Sequence, residues 1–272
     1  MRNGLTIRAP MGSSLGSILL IAAVPALVAV GGAAVAAFRA PSPRLRSVIQ
    51  HFAAGVVAAA AAVELLPDAI SKHSPLALAI GFAAGTAAML GISKVMERFE
   101  TEEEGSDSEP AHAHLVASEA YADQIQRTGG PGGMLGAVGV DVAIDGMLLG
   151  LAFLAGQKAG VLLMIGFSLE MLSLGLATCA TCRKYRWSVI RSVGSVAGVG
   201  GLLILGAVLA NSLLGGISGA VLGGVLAFGL AALLYLVTEE LLVEAHEVRE
   251  NTVTTSMFFA GFLILLLVDV LS

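Results

Sequence analysis

Apolar residues are gathered into eight long stretches, near residues 14–38, 48–70, 75–97, 133–156, 159–182, 190–213, 217–243 and 254–271. A helix needs about 20 mainly apolar residues to cross the hydrocarbon core of a bilayer, so each stretch is long enough for one span. The pattern predicts an all-α, polytopic membrane helix bundle of about eight transmembrane helices. The first stretch is too long for the core of a secretory signal and is read as a span. Pro25 inside it is tolerable, because in lipid neighbouring groups re-satisfy the backbone that a proline frees. Most joints are short, as in a tight bundle. The exception is residues 98–132, which are acidic, carry His112 and His114, and run into Gly129-Gly130-Pro131-Gly132-Gly133. So polar a segment buries too little apolar surface to order itself, which predicts a loop. The chain therefore divides into residues 1–97 with three spans, the loop 98–132, and residues 133–272 with five spans.

Composition excludes a water-soluble fold. Hydrophobic residues make up 56% of the chain, charged residues 13%, and the mean hydropathy is +0.87; soluble domains carry roughly 25% charged residues. The net charge of −5 is unevenly placed, since nine of the 20 acids lie between Glu97 and Asp123. No basic tract suggests nucleic acid. Lys and Arg instead mark sidedness, because they concentrate in cytoplasmic loops. With the N-terminus outside, eleven fall on the cytoplasmic side (Arg39, Arg44, Arg46, Lys94, Arg98, Arg127, Arg183, Lys184, Arg186, Arg191, Arg249) and four outside (Arg2, Arg8, Lys72, Lys158). Both termini are thus expected to be extracytoplasmic, with the acidic loop in the cytosol and the plasma membrane as the location. Glycines at four-residue spacing, Gly81/Gly85, Gly146/Gly150, Gly194/Gly198 and Gly219/Gly223, read as helix-packing positions. Cys179 and Cys182 form one CxxC, which is half of a structural zinc set and reads as a packed pair.

Acids inside the spans carry the chemistry. A charge at mid-membrane costs at least about 2.5–3.5 kcal/mol, so it is retained only where it finds a partner. The predicted spans contain no Lys or Arg near these acids, which points to protons, waters or metal cations as partners. Asp141 and Asp145 are four residues apart and share a helix face. A divalent cation between them would relieve their repulsion, and Gly146 beside them suggests a helix opened to add backbone ligands. Glu170 falls about twelve residues into the fifth stretch, roughly 18 Å along a helix. The short fourth-to-fifth joint makes those helices antiparallel neighbours and puts Glu170 at the depth of the aspartates, as a third oxygen ligand for a hard cation. Glu239 and Glu240, followed by Glu244 and His246, descend toward the cytosol and read as an exit path. Glu64 and Asp68, at the outer end of the second stretch, read as an entrance or as an ordinary helix end. His112 and His114 in the loop are a weaker candidate for capturing released metal.

These residues resemble the ZIP family of metal-ion transporters over most of the chain from about residue 14, apart from the loop. The layout of eight helices, external termini and a long cytosolic loop after the third is similar. The second stretch, from Phe52-Ala-Ala-Gly-Val to Glu64-Leu-Leu-Pro-Asp68, looks like the family's second helix, where Glu64 is often His. Asp141-Val-Ala-Ile-Asp145-Gly146 lines up with the motif His-Asn-x-Pro-Glu-Gly, placing Asp141 at the His, Val142 at the Asn and Asp145 at the Glu. Thr238-Glu239-Glu240-Leu-Leu-Val-Glu244-Ala-His246 is similar to Ser-His-Glu-x-x-Pro-Glu-x-His. Glu170 matches either the first ligand of the fifth-helix motif or the Glu four residues later, and the sixth stretch lacks the Glu that many members carry.

The resemblance implies a transporter that brings divalent cations of the zinc, iron or manganese class into the cytoplasm as substrates, without an organic cofactor. Metal ligands would come from Asp141, Asp145, Glu170, Glu239, Glu240, Glu64, Asp68, Glu244 and His246. Carboxylates in place of imidazoles favour Mn²⁺ or Fe²⁺. The implied partners are the ion and the lipid bilayer, with a homodimer as a candidate assembly. The rival readings are a proton-coupled carrier of a small organic solute and a relative that transports nothing. An enzyme is not expected, because the spans contain no Ser–His or Cys–His pair and the chain has no HExxH, Walker or Rossmann motif.

Overall fold

Eight helices, each matching one apolar stretch, make up nearly all of the computed structural model, which describes residues 15–39, 41–71, 74–101, 131–246 and 252–271. Helix α1 is Leu15–Phe38 and keeps Pro25 inside it. Helix α2, Pro43–Ser71, starts earlier than its apolar stretch. Pro43 occupies its first turn, where the missing N–H is not needed, and Ser42 accepts a hydrogen bond from the Leu45 N–H at 3.3 Å. Then follow α3 (Pro75–Thr101), α4 (Pro131–Ala155), α5 (Gln157–Lys184) and α6 (Val189–Leu214), the last capped by Ser188 on the Arg191 N–H at 3.2 Å. Helix α7 runs Gly219–Tyr235, continues through a π-helical stretch at Leu236–Leu241 and ends with Leu242–His246. Helix α8 is Thr252–Leu271. The predicted acidic loop begins later than expected, because α3 carries on to Thr101; His112 and His114 lie outside the described residues.

All eight helices are long and apolar enough to cross a membrane. Large apolar side chains point outward along them, such as Leu20 at 74%, Leu213 at 76% and Leu271 at 85% exposed. Water would penalise such faces by about 25 cal/mol per Å², whereas lipid does not. The chain is an integral membrane protein, an all-α polytopic bundle.

Between helices already in lipid there is no hydrophobic gain, so close packing has to supply the attraction. Glycines let backbones touch at four seams. Helix α1 lies along α5 through Gly32 on Leu172 and Gly175 on Ala29; α4 lies along α6 through Gly146 on Leu203, Gly150 on Ala207 and Gly206 on Ala143. Helix α2 meets α8 through Gly55 on Phe258 and Gly261 on Phe52, and α3 meets α7 through Gly81 on Gly224 and Gly85 on Phe228. Helices α1 and α6 also pack together, joining the first two seams. Where α5 meets α2 and α4 meets α7, side chains fill the gap instead: Val57 over Gly166 and Leu151 over Gly229.

Two sequence readings are corrected by this packing. Gly194 and Gly198 have no atom near the position a Cβ would take, so they do not weld helices. Gly219, at φ 61°, supplies a left-handed turn before α7 rather than a contact. A leucine at Gly146 would collide with the Leu203 carbonyl and split the α4–α6 seam. Gly146→Leu should lower the thermal stability of detergent-purified protein by the equivalent of about 1–3 kcal/mol or more, while Gly198→Ala should leave it within error; a thermal melt followed by size exclusion measures both.

Candidate metal centre

Helix α4 carries Asp141 and Asp145 one turn apart, and only Gly156 separates it from α5. The tight joint folds α5 back antiparallel, and Glu170 arrives beside the two aspartates. One carboxylate oxygen from each of Asp141, Asp145 and Glu170 lies within 4.8 Å of the other two. Asp145 is fully buried, Glu170 is 6% exposed and Asp141 is half-buried. Val142, Leu149, Phe167 and Met171 on the same two helices are all fully buried. Both carboxylate oxygens of Asp145 lack a hydrogen-bond partner among the described residues. The charges that act on Asp145 are those of Glu170, Asp141 and Glu240, all negative.

Helix α4 is not opened at this site. Its helical hydrogen bonding runs unbroken through Gly146, and that glycine is needed for the approach of α6, so no backbone ligand is released. The irregular backbone lies elsewhere. Two π-helical stretches, Ala61–Leu65 in α2 and Leu236–Leu241 in α7, each carry acids: Glu64 in the first, Glu239 and Glu240 in the second. Such bulges re-aim side chains by one position and are frequent at functional sites.

The remaining predicted ligands are spread along the bundle. Glu64 stands 3.7 Å from the Lys158 ammonium, which also meets the Asp269 carboxylate at 2.7 Å and donates to its backbone carbonyl at 2.9 Å. The premise that no basic residue meets these acids therefore fails for Glu64, because α5 begins at Gln157 and presents Lys158 to α2 and α8 at that end. Asp68 is half-buried next to this group. Glu239 and His246 are exposed and Glu240 is half-buried; the Glu244 side chain lies outside the described residues. Cys179 and Cys182 are buried free thiols, one turn apart in the core.

His51 is a residue that spacing did not single out. It is buried in α2, one turn after Ser47, and its ring stands edge-to-face on His246 with centroids 5.0 Å apart. The available signal was its position as the one histidine inside a predicted span. Its Nδ1 approaches Ser47 Oγ at 3.4 Å, so a Ser–His pair does occur once α2 extends back to Pro43. The Ser47 hydroxyl, however, donates to the Ala245 carbonyl at 2.8 Å, so its proton does not face the imidazole as a nucleophile's would.

Compared with known protein families and with curated proteins, the sequence matches none.

The Lys158 group is half-exposed, so its ion pairs are screened and individually weak. Lys158→Met should cost little thermal stability in low salt, and that small difference from wild type should vanish near 1 M salt, as a paired melting series in both buffers would reveal.

Proposed function

We propose that this protein carries divalent metal cations of the zinc, iron and manganese class across the membrane into the cytoplasm, with Asp141, Asp145 and Glu170 holding the ion midway. The observation behind this reading is the buried trio itself, above all Asp145, whose two oxygens have no hydrogen-bond donor among the described residues. Two ionised carboxylates 4.8 Å apart repel by about 3.5 kcal/mol at an effective dielectric of 20, and a trio holds three such pairs. A divalent cation at the centre adds an attraction to each carboxylate that outweighs these repulsions, and it supplies the missing partner for Asp145. Oxygen ligands at one depth suit hard cations. Protonation is the competing way to relieve the same strain, and it leads to the proton-coupled solute carrier.

The resemblance of layout and motifs to ZIP transporters points to the same function and implies the inward direction, and the excess of Lys and Arg at one end marks that end as the cytoplasmic one. Helices α4 and α5 hold the whole trio within the glycine-packed group of α1, α4, α5 and α6. Their contacts with α2 and α7 run through side chains, which suits an ion site that must be opened to each side in turn.

Asp145→Ala should abolish metal-dependent uptake into proteoliposomes while leaving the protein folded and monodisperse; undiminished uptake would remove the trio from the pathway. In competition assays Mn²⁺ or Fe²⁺ should displace the transported ion at least as well as Zn²⁺, because the trio offers only carboxylates. Uptake of an organic solute that follows pH and ignores metal would replace this function with the proton-coupled one.

A further inference from the structure

The first two turns of α2 are unusual for the start of a membrane span. Arg46, Ser47, Gln50 and His51 are all buried there, against the π-helical stretch and last turn of α7. A buried imidazole has to place both of its nitrogens. The Nδ1 of His51 lies 2.8 Å from the Ser47 backbone carbonyl. A carbonyl can only accept, so Nδ1 bears the hydrogen and donates it. The neutral ring then presents Nε2, the other nitrogen, as its lone-pair donor. Metal-bound histidines are held in this way, with one N–H given to a carbonyl so that the tautomer and ring direction are set. Ser47 is anchored in turn by its hydroxyl on the Ala245 carbonyl at 2.8 Å, which ties the α2 end of the arrangement to the helix turn bearing His246. The His246 ring meets His51 with centroids 5.0 Å apart and planes at 74°. Two nitrogens on one tetrahedral zinc-sized ion, at about 2.0–2.1 Å each, stand about 3.3 Å apart, a separation that rings at this centroid distance can adopt.

We propose that His51 and His246 form a second divalent-cation site, of imidazole rather than carboxylate character, at the basic end of the bundle. It selects borderline cations such as Zn²⁺ over Mn²⁺, the reverse of the trio's preference. Two protein ligands leave the other positions to water, which makes the site one of passage rather than of permanent residence. Helix α7 connects the two sites: Glu240, whose charge reaches Asp145, precedes His246 by six residues, about 9 Å along a helix. As an exit station the pair rests on the transport reading above; as a binding site it does not.

The full chain in nanodiscs carrying Asp145→Asn, His73→Gln, His112→Gln and His114→Gln breaks the trio and leaves His51 and His246 as the two remaining histidines of the sequence. Titration of this background with Zn²⁺ should give one ion per chain, and zinc-edge X-ray absorption should report two imidazole nitrogens. Adding His246→Gln, at an exposed position that tolerates the change, should weaken binding at least tenfold and halve the imidazole signal; His51→Gln should do the same. Equal affinity and an unchanged spectrum in both variants would overturn the site. Loss of uptake in Asp145→Ala with the imidazole signature intact supports both sites, whereas normal uptake in Asp145→Ala removes the trio and leaves the histidine pair standing.

Discussion

A fully buried carboxylate without a hydrogen-bond donor among the described residues is the constraint from which the rest of the molecule can be read. Asp145 is in that position, and the charges that act on it are those of three further acids. Burying an ionised group without a partner is among the largest penalties a fold can carry. Here the helices that create the penalty are also the most firmly packed, since α4 is pressed against α6 through three glycines and α5 against α1 through two. The unfavourable group is therefore held in place by backbone seams, one of which passes through Gly146 directly beside it, a common arrangement where local strain serves function.

Two kinds of interface divide the bundle. Glycine seams bring backbone against backbone and leave no side chain to rearrange. The α2–α5 and α4–α7 contacts depend on Val57 and Leu151, which can change rotamer. Several charged and imidazole groups outside the trio sit on these same four helices, α2, α4, α5 and α7. At one end, Lys158 of α5 bridges Glu64 of α2 and Asp269 of α8. Toward the other, the π-helical stretch of α7 brings Glu240 within electrostatic reach of Asp145, and His246 follows against His51. Carboxylate, carboxylate and imidazole thus succeed one another along α2, α4, α5 and α7, the helices that meet through side chains.

Much of this was legible along the chain, and the reason is physical. Lipid leaves a spanning segment no choice but to satisfy its backbone internally, so an apolar stretch of sufficient length is a helix, and eight stretches are eight helices. The cost of an intramembrane charge is similarly local, which is why Asp141, Asp145 and Glu170 stood out before any contact was known. The single-residue joint between α4 and α5 brought them together by chain connectivity alone.

What the residues could not decide by themselves was whatever depended on a partner from a distant part of the chain. Gly146 and Gly194 sit in the same four-residue spacing, yet only the neighbour across the seam makes the first a close contact and leaves the second open. Glu64 is an acid without a basic neighbour in sequence until the start of α5 is folded beside it. His51 and His246 are separated by nearly the whole fold, and although His246 reads as a candidate ligand along the chain, nothing in the sequence pairs it with His51. Period and composition determine which segments cross the membrane and which charges are out of place. Only tertiary packing decides which of those charges share a cavity and which find a counter-ion, because that depends on distances that sequence separation does not encode.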